Sequence, residues 1–112
     1  MVVIDLHSPP GGDLIPGGYF GANTGLFTNT ACQKKFVAVW EQIARRYKSA
    51  RAVWGYDLAN EPIPPRDVQP GLMYEGQALW PALPPQAGGK GLDDWDELAE
   101  RAAKAIRAID PD

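Results

Sequence analysis

The sequence contains little cysteine, no excess of positive charge and no long apolar run. Cys32 is the one cysteine in 112 residues, which excludes an internal disulfide and a cysteine-based zinc site. Eleven Lys and Arg against 14 Asp and Glu give a net charge of -3, so we expect neither nucleic acid nor a membrane surface as a partner. No apolar run approaches the roughly 20 residues of a transmembrane helix. The composition, 45% hydrophobic and 22% charged, is that of one ordinary globular domain at most.

Histidine is equally scarce, and His7 is the one example. Without a second histidine or a cysteine pair it is a poor metal ligand, so we predict no metal. The glycine-rich stretch 88–91 is not a phosphate loop, because Gly91 stands where serine or threonine is required and no strand precedes it. Neither predicted strand is followed by the glycine pattern of a dinucleotide site. We therefore predict no cofactor.

The predicted elements alternate between strands and helices. Apolar runs that stop at a proline are typical of strands buried on both faces, and apolar residues at a 3.6-residue period are typical of helices. The predicted elements are a strand at 2–7, a loop at 8–29, a helix at 31–48, a strand at 52–60, a loop at 63–91 and a helix at 93–109.

Both helices show recognisable ends. Thr30 and Gln33 form a capping-box pattern at the start of the first helix. Acidic residues crowd the first turn of the second helix, where Asp93 or a neighbour is the expected cap, and basic residues crowd its last turn. Three aromatic residues fall on the apolar stripes and are predicted to lie in the core: Trp40, Tyr47 and Trp95.

This order predicts an α/β fold with parallel strands. Two helices cover only one face of a two-stranded ribbon, whereas parallel sheets need both faces covered. A (β/α)8 TIM barrel supplies the missing cover and typically needs about 250 residues. We therefore interpret residues 1–112 as a partial barrel of about two βα units. A chain that opens directly in a strand is also unusual for a complete domain, so we expect a truncated start.

The candidate catalytic residue is Glu61, at the end of the second predicted strand. Barrel active sites lie at the carboxyl ends of the strands, and Asn60 beside it can donate an amide hydrogen bond. The competing interpretation is a solvated glutamate at a strand-to-loop break. Asp5 and Asp57 face the same side deeper in the strands, and we expect them to be buried supporting carboxylates rather than catalytic groups.

Three ordered motifs resemble glycoside hydrolase family 5, the cellulase family. Residues 53–62, Val-Trp-Gly-Tyr-Asp-Leu-Ala-Asn-Glu-Pro, are similar to the fourth strand of that family. Residues 4–7 with 10–12 resemble its third strand with the active-site histidine, and residues 40–47 resemble the helix between the two strands. The resemblance covers most of residues 1–62.

The resemblance implies roles for three residues. Glu61 would be the general acid/base, Asn60 would hydrogen-bond the sugar hydroxyl next to the scissile bond, and His7 would line the same subsite. The reaction implied is retaining hydrolysis of a β-linked polysaccharide such as a cellulose-like glucan. The family's nucleophilic glutamate lies on the seventh strand, outside this chain, so the expected partners are the polysaccharide and the remainder of the barrel. Secretion, or a periplasmic location, is implied by the family's usual substrates.

Loop aromatics leave two interpretations open. Tyr19 and Trp80, with Phe20 and Tyr74, could stack on sugar rings or could anchor the loops to the barrel rim. We expect the chain alone to be incomplete and inactive. The alternatives to an enzyme are a non-catalytic carbohydrate-binding remnant that uses these aromatics, and an inactive truncated fragment prone to aggregate through two open strand edges.

Overall fold

The computed structural model describes residues 1–11, 25–60, 62 and 95–111, together with the backbone of 73–74 and 77–78. The elements are β1 (Val2–Asp5), α1 (Gly25–Thr28), α2 (Thr30–Tyr47), β2 (Val53–Asp57), β3 (Met73–Tyr74), β4 (Gln77–Ala78) and α3 (Trp95–Arg107). None of the helices in the described part of the chain is long and apolar enough to cross a membrane.

Strands β1 and β2 pair in parallel, as the alternation of strands and helices predicts. Val2 is opposite Val53 and Asp5 is opposite Asp57, with one irregularity in register between Val2 and Val3. Both strands are shorter than the predicted 2–7 and 52–60. The backbone amide of Leu6 still donates to the Asp57 carbonyl at 3.3 Å, so the strands separate just beyond their assigned ends.

Helix α2 begins one residue earlier than predicted and has a different cap. Asn29 is extended (φ -130°, ψ 112°), and its side-chain oxygen accepts from the Ala31 amide at 2.8 Å. Thr30 is therefore the first helical residue, and the capping-box prediction is wrong. Asparagine and threonine are both good caps, and the sequence places them side by side.

Gln33, the second half of the predicted capping box, packs between helices instead. Its side chain is almost fully buried, at 3% exposure, and its oxygen accepts from Arg101 of α3 at 2.7 Å. A buried amide without a partner costs about 1–3 kcal/mol, so this bond offsets the cost of burying Gln33 between α2 and α3. Glu100 and Lys104 form an i, i+4 ion pair on the surface of α3, at 2.8 Å.

The core lies between the two long helices and one face of the sheet. Ile4 and Leu6 of the first βα unit, with Tyr56 and Leu58 of the second, pack against it. The buried residues are Leu26, Phe27, Phe36, Trp40, Ala44, Ala59, Leu98, Ala102 and Ile106. Alternation along the strands therefore directs every second side chain toward the helices.

Of the three aromatics predicted to be core, Trp40 is fully buried and the other two are only partly buried. The rings of Trp95 and Phe36 form a T-shaped pair, with centroids 6.2 Å apart. Tyr47 lies under the Arg46 guanidinium at 5.7 Å. Both are terminal residues of their helices, where the packing surface ends, so helical spacing overstates their burial.

Two regions predicted to be loops contain short elements. Helix α1 lies in the predicted loop 8–29 and contributes Leu26 and Phe27 to the core. Gly11 has a positive φ of 106°, and a Cβ there would lie 2.5 Å from the Leu26 amide nitrogen, so glycine lets the chain pass the start of α1. Strands β3 and β4, in the predicted loop 63–91, pair antiparallel.

The prediction that the strands are buried on both faces is wrong for the described residues. Val2 and Val3 are about half exposed, and Trp54 is 74% exposed. Helices α2 and α3 pack on one side of the sheet, and the described part of the chain supplies no second layer. The predicted helix 93–109 spans Trp95–Arg107, and its expected cap, Asp93, lies outside the described residues.

The end of α3 is tied to β2 by a tyrosine–carboxylate hydrogen bond. The Tyr56 hydroxyl donates to Asp110 at 2.8 Å across 54 residues of sequence. Burial and this bond to a carboxylate together raise the pKa of Tyr56 from 10.0 to about 12. The neutral phenol is therefore the form that the fold stabilises.

This pKa shift predicts a loss of stability in alkaline solution. Between pH 10 and about pH 12 the unfolded chain releases the Tyr56 proton while the folded chain retains it, so the free energy of unfolding falls as the pH rises. Below pH 10 the contribution is fully present. Urea denaturation of wild type and Tyr56→Phe on both sides of pH 10 measures this. At neutral pH, Tyr56→Phe should have a free energy of unfolding about 1 kcal/mol lower than that of wild type. Above pH 10, its free energy of unfolding should fall less than that of wild type.

Tyr47→Phe is the matched control for general alkaline damage, because Tyr47 is also partly buried but does not make the bond to Asp110 that Tyr56 makes. It should keep the wild-type alkaline fall. An equal fall in Tyr56→Phe and wild type would show that Tyr56 does not cause it.

Candidate active site

The carboxyl ends of the two parallel strands lie at the same edge of the sheet. Since Asp5 is opposite Asp57, His7 follows the end of β1 by two residues and Asn60 follows the end of β2 by three. The structure thus places two of the predicted site residues at one edge, the edge at which barrel enzymes carry their active sites. Asn60 is half-buried and His7 is exposed.

Helix α2 anchors the end of β2. The Trp40 indole Nε1 donates to the Leu58 carbonyl at 3.1 Å, and its ring forms a T-shaped pair with Tyr56, with centroids 5.7 Å apart. Ala59 is buried against the same cluster. A fully buried tryptophan therefore fixes the backbone immediately before Asn60, and the hydrogen bond to Leu58 continues that support beyond the last residue of the strand.

His7 is paired with Asp5. The ring nitrogen Nδ1 lies 3.0 Å from Asp5 Oδ2, and the side chains are 71% and 39% exposed. The expectation that Asp5 is a buried supporting carboxylate is wrong in its burial, because the described residues leave this face of the sheet uncovered. Strand alternation, extended two residues past the end of β1, puts both side chains on one face, and this is the sequence signal for the pair.

Asp57, the neighbour of Asp5 across the ladder, is also exposed rather than buried. Two carboxylates, one imidazole and one amide therefore occupy this end of the parallel pair. Such groups donate and accept hydrogen bonds in many directions, which suits a ligand rich in hydroxyl groups.

The remaining predicted site residues cannot be placed. Glu61, Tyr19 and Trp80 lie outside the described residues, as do Phe20 and the side chain of Tyr74. The acid/base role of Glu61 and the stacking role of the loop aromatics stay predictions from the sequence. What the structure supplies is the position of the residue on either side, since Asn60 and Pro62 are both described.

Comparison with known proteins agrees with the sequence motifs. The family model "Cellulase (glycosyl hydrolase family 5)" matches residues 1–112. An endoglucanase of Paenibacillus polymyxa is 28% identical over 99% of this chain and 21% of its own length. The major extracellular endoglucanase of Xanthomonas campestris pv. campestris is 28% identical, and endoglucanase B of Acetivibrio thermocellus is 29% identical; each match covers 98% of this chain and 17% of the relative.

The chain thus spans about a fifth of the length of the curated relatives it matches. The match extends beyond residue 62, where the sequence motifs stop, and includes residues 63–91 and α3. The described parallel pair with its two long helices is an unclosed part of the (β/α)8 barrel that this family implies. The chain belongs to the cellulase family, glycosyl hydrolase family 5.

Proposed function

We propose that this chain forms the third and fourth βα units of an enzyme that hydrolyses a β-linked glucan with retention of configuration. The observation that carries the proposal is the family match over the whole chain, joined to a parallel strand pair whose carboxyl ends bring His7 and Asn60 to one edge. Glu61 follows Asn60 directly and is the proposed general acid/base.

The proposed reaction has two steps. In the first, the Glu61 carboxyl gives its proton to the glycosidic oxygen as a second carboxylate attacks the anomeric carbon, so that the glycosidic bond breaks and a glycosyl-enzyme ester forms. In the second, Glu61 takes a proton from water as the water oxygen attacks the same carbon and releases the second carboxylate. Retention requires the two carboxyl groups to lie about 5 Å apart.

The proposed nucleophile comes from a strand outside this chain. Asp5 and Asp57 are the last residues of their strands and precede His7 and Asn60 by two and three residues, and we do not assign the nucleophile to either. The remainder of the barrel is therefore the required partner, and residues 1–112 alone should not hydrolyse glycosides.

Asn60 and His7 are proposed to hold the sugar next to the bond that breaks. An amide and an imidazole at the same edge can hydrogen-bond neighbouring hydroxyl groups, and such bonds hold the ring in the geometry of attack. Tyr19 and Trp80 are proposed stacking platforms for further sugar rings. A polysaccharide substrate also favours a secreted or periplasmic enzyme.

The coding sequence on both sides of this segment, followed by an assay of the protein it encodes, tests the proposal. We expect an open reading frame that completes the barrel and supplies a glutamate at the end of the seventh strand. The purified product should release reducing ends from soluble β-glucan, and proton NMR should show the β-anomer first. The 112-residue chain at equal concentration is the control and should release none.

Two results would contradict this proposal. An initial α-anomer would exclude retention. A start codon and a stop codon that bound residues 1–112 would leave Glu61 without a nucleophile, and the carbohydrate-binding remnant or the inactive fragment would then replace the enzyme.

A further inference from the structure

The Asp5–His7 pair is a feature that the proposed roles of Asn60 and Glu61 do not use. Asp5 ends β1 and His7 follows it by two residues, and their side chains meet, with His7 Nδ1 at 3.0 Å from Asp5 Oδ2. At neutral pH an ionised carboxylate has acceptors only. Nδ1 must then carry the hydrogen that it shares with Asp5, whatever the state of the other ring nitrogen.

We propose that Asp5 is a positioning residue that fixes the tautomer of His7. In water the neutral histidine side chain carries its proton mainly on Nε2. The bond to Asp5 reverses this preference, so the neutral imidazole holds its proton on Nδ1 and offers the lone pair of Nε2 as an acceptor.

This assignment gives His7 a defined specificity. An Nε2 acceptor binds a hydroxyl group that donates, and it rejects a group that can only accept, such as a ring oxygen. His7 is 71% exposed in the described part of the chain, so its outer nitrogen is accessible to a ligand at the edge of the sheet. That the ligand is a sugar hydroxyl rests on the proposed function; the tautomer itself does not.

The test is the nitrogen spectrum of the imidazole. His7 is the one histidine in the sequence, so the ring signals of the 15N-labelled chain, made without a histidine tag, need no assignment. Long-range proton–nitrogen correlation on the neutral imidazole reports which nitrogen is protonated. We expect a protonated Nδ1 in most molecules of the wild type and a reversal to protonated Nε2 in Asp5→Ala.

Asp57→Ala is the matched control. Asp57 is opposite Asp5 in the ladder, so its removal takes the same charge from the neighbouring strand and leaves the hydrogen bond in place. It should retain the wild-type tautomer. Backbone amide signals of β1 and β2 that match the wild type show that each variant keeps the strand pair.

Three results would overturn the inference: a protonated Nε2 in most wild-type molecules, an unchanged tautomer in Asp5→Ala, or an equal change in both variants. The last would mean that the field of the carboxylates, and not the hydrogen bond, sets the tautomer. None of these spectra depends on hydrolysis, so a failed assay of the complete enzyme leaves the result on His7 intact.

Discussion

Glu61→Gln in the complete enzyme should lower kcat on β-glucan by about 10²–10⁴-fold, the range that a positioned general acid/base contributes. Glutamine has nearly the same size and keeps a hydrogen-bonding group, but it cannot give a proton to the leaving oxygen. Because the lost group acts mainly in the transition state, KM should change far less than kcat. Initial rates of reducing-end release measure both constants.

The loss should also depend on the leaving group. An aryl glycoside whose phenolate is stable without protonation does not need the acid in the first step. The rate of this first step should therefore fall less in Glu61→Gln for the aryl glycoside than for the polysaccharide. Glu100→Gln is the matched control, because Glu100 lies on the surface of α3 in an ion pair with Lys104. Near-normal turnover of β-glucan by Glu61→Gln would exclude the acid/base role.

Trp40→Ala should destabilise the chain by about 3–5 kcal/mol, the usual cost of removing a buried tryptophan. Trp40 is fully buried, packs in a T-shaped pair with Tyr56 and donates to the Leu58 carbonyl. The substitution leaves a cavity between α2 and β2 and an unsatisfied carbonyl near the end of the strand. A loss of this size approaches the whole stability of a small domain. Thermal and urea denaturation, followed by circular dichroism, measure it.

Two variants separate the causes of this loss. Trp54→Ala removes the same side chain from an exposed position on β2, so its free energy of unfolding should change by about 0.5 kcal/mol or less. Trp40→Phe keeps most of the buried ring but loses the donor to Leu58, so it should fall between the other two. Equal losses in Trp40→Ala and Trp54→Ala would contradict the account of the core.

Local sequence patterns predict the order of the two long helices and the two parallel strands well. They predict the burial of the strand side chains poorly. Helical spacing placed Trp40 in the core because a stripe along a helix needs only one covering surface, and α2 has one. The strands were expected to be buried on both faces, but burial of Val3 or Trp54 depends on layers far away in sequence or outside the chain. An apolar strand sequence indicates that both faces need to be covered, but it does not show whether this chain contains the covering layers.

Features that arise from long-range contact were missed. The bond from Arg101 to Gln33 joins residues 68 positions apart, and no local pattern indicates it. The sequence does not indicate helix α1, because Gly25–Thr28 is one turn long and too short to show a period of apolar residues. Its stability comes from burial of Leu26 and Phe27, which is decided by the rest of the fold.

In the candidate site, too, some features can be predicted from local sequence patterns and others cannot. Parallel pairing implies that His7 and Asn60 follow strands that end at one edge, and the register shows that β1 and β2 end together; the roles of both residues stay predictions. The alternation of strand side chains indicates the hydrogen bond between Asp5 and His7. The expectation of a buried supporting role for Asp5 does not take this pairing into account. A carboxylate two residues before a histidine on a strand has a partner on its own face.

The most direct test of the claim that Glu61 is the general acid/base uses Glu61→Ala in the complete enzyme. The quantity to measure is the configuration of the product that this variant forms with azide. An aryl β-glycoside with a good leaving group forms the glycosyl-enzyme without an acid, and azide then attacks without a base. If Glu61 is the acid/base, azide should restore turnover and proton NMR should identify the β-glycosyl azide. An α-glycosyl azide would make Glu61 the nucleophile, and turnover equal to wild type without azide would make it a bystander; either result would contradict the account.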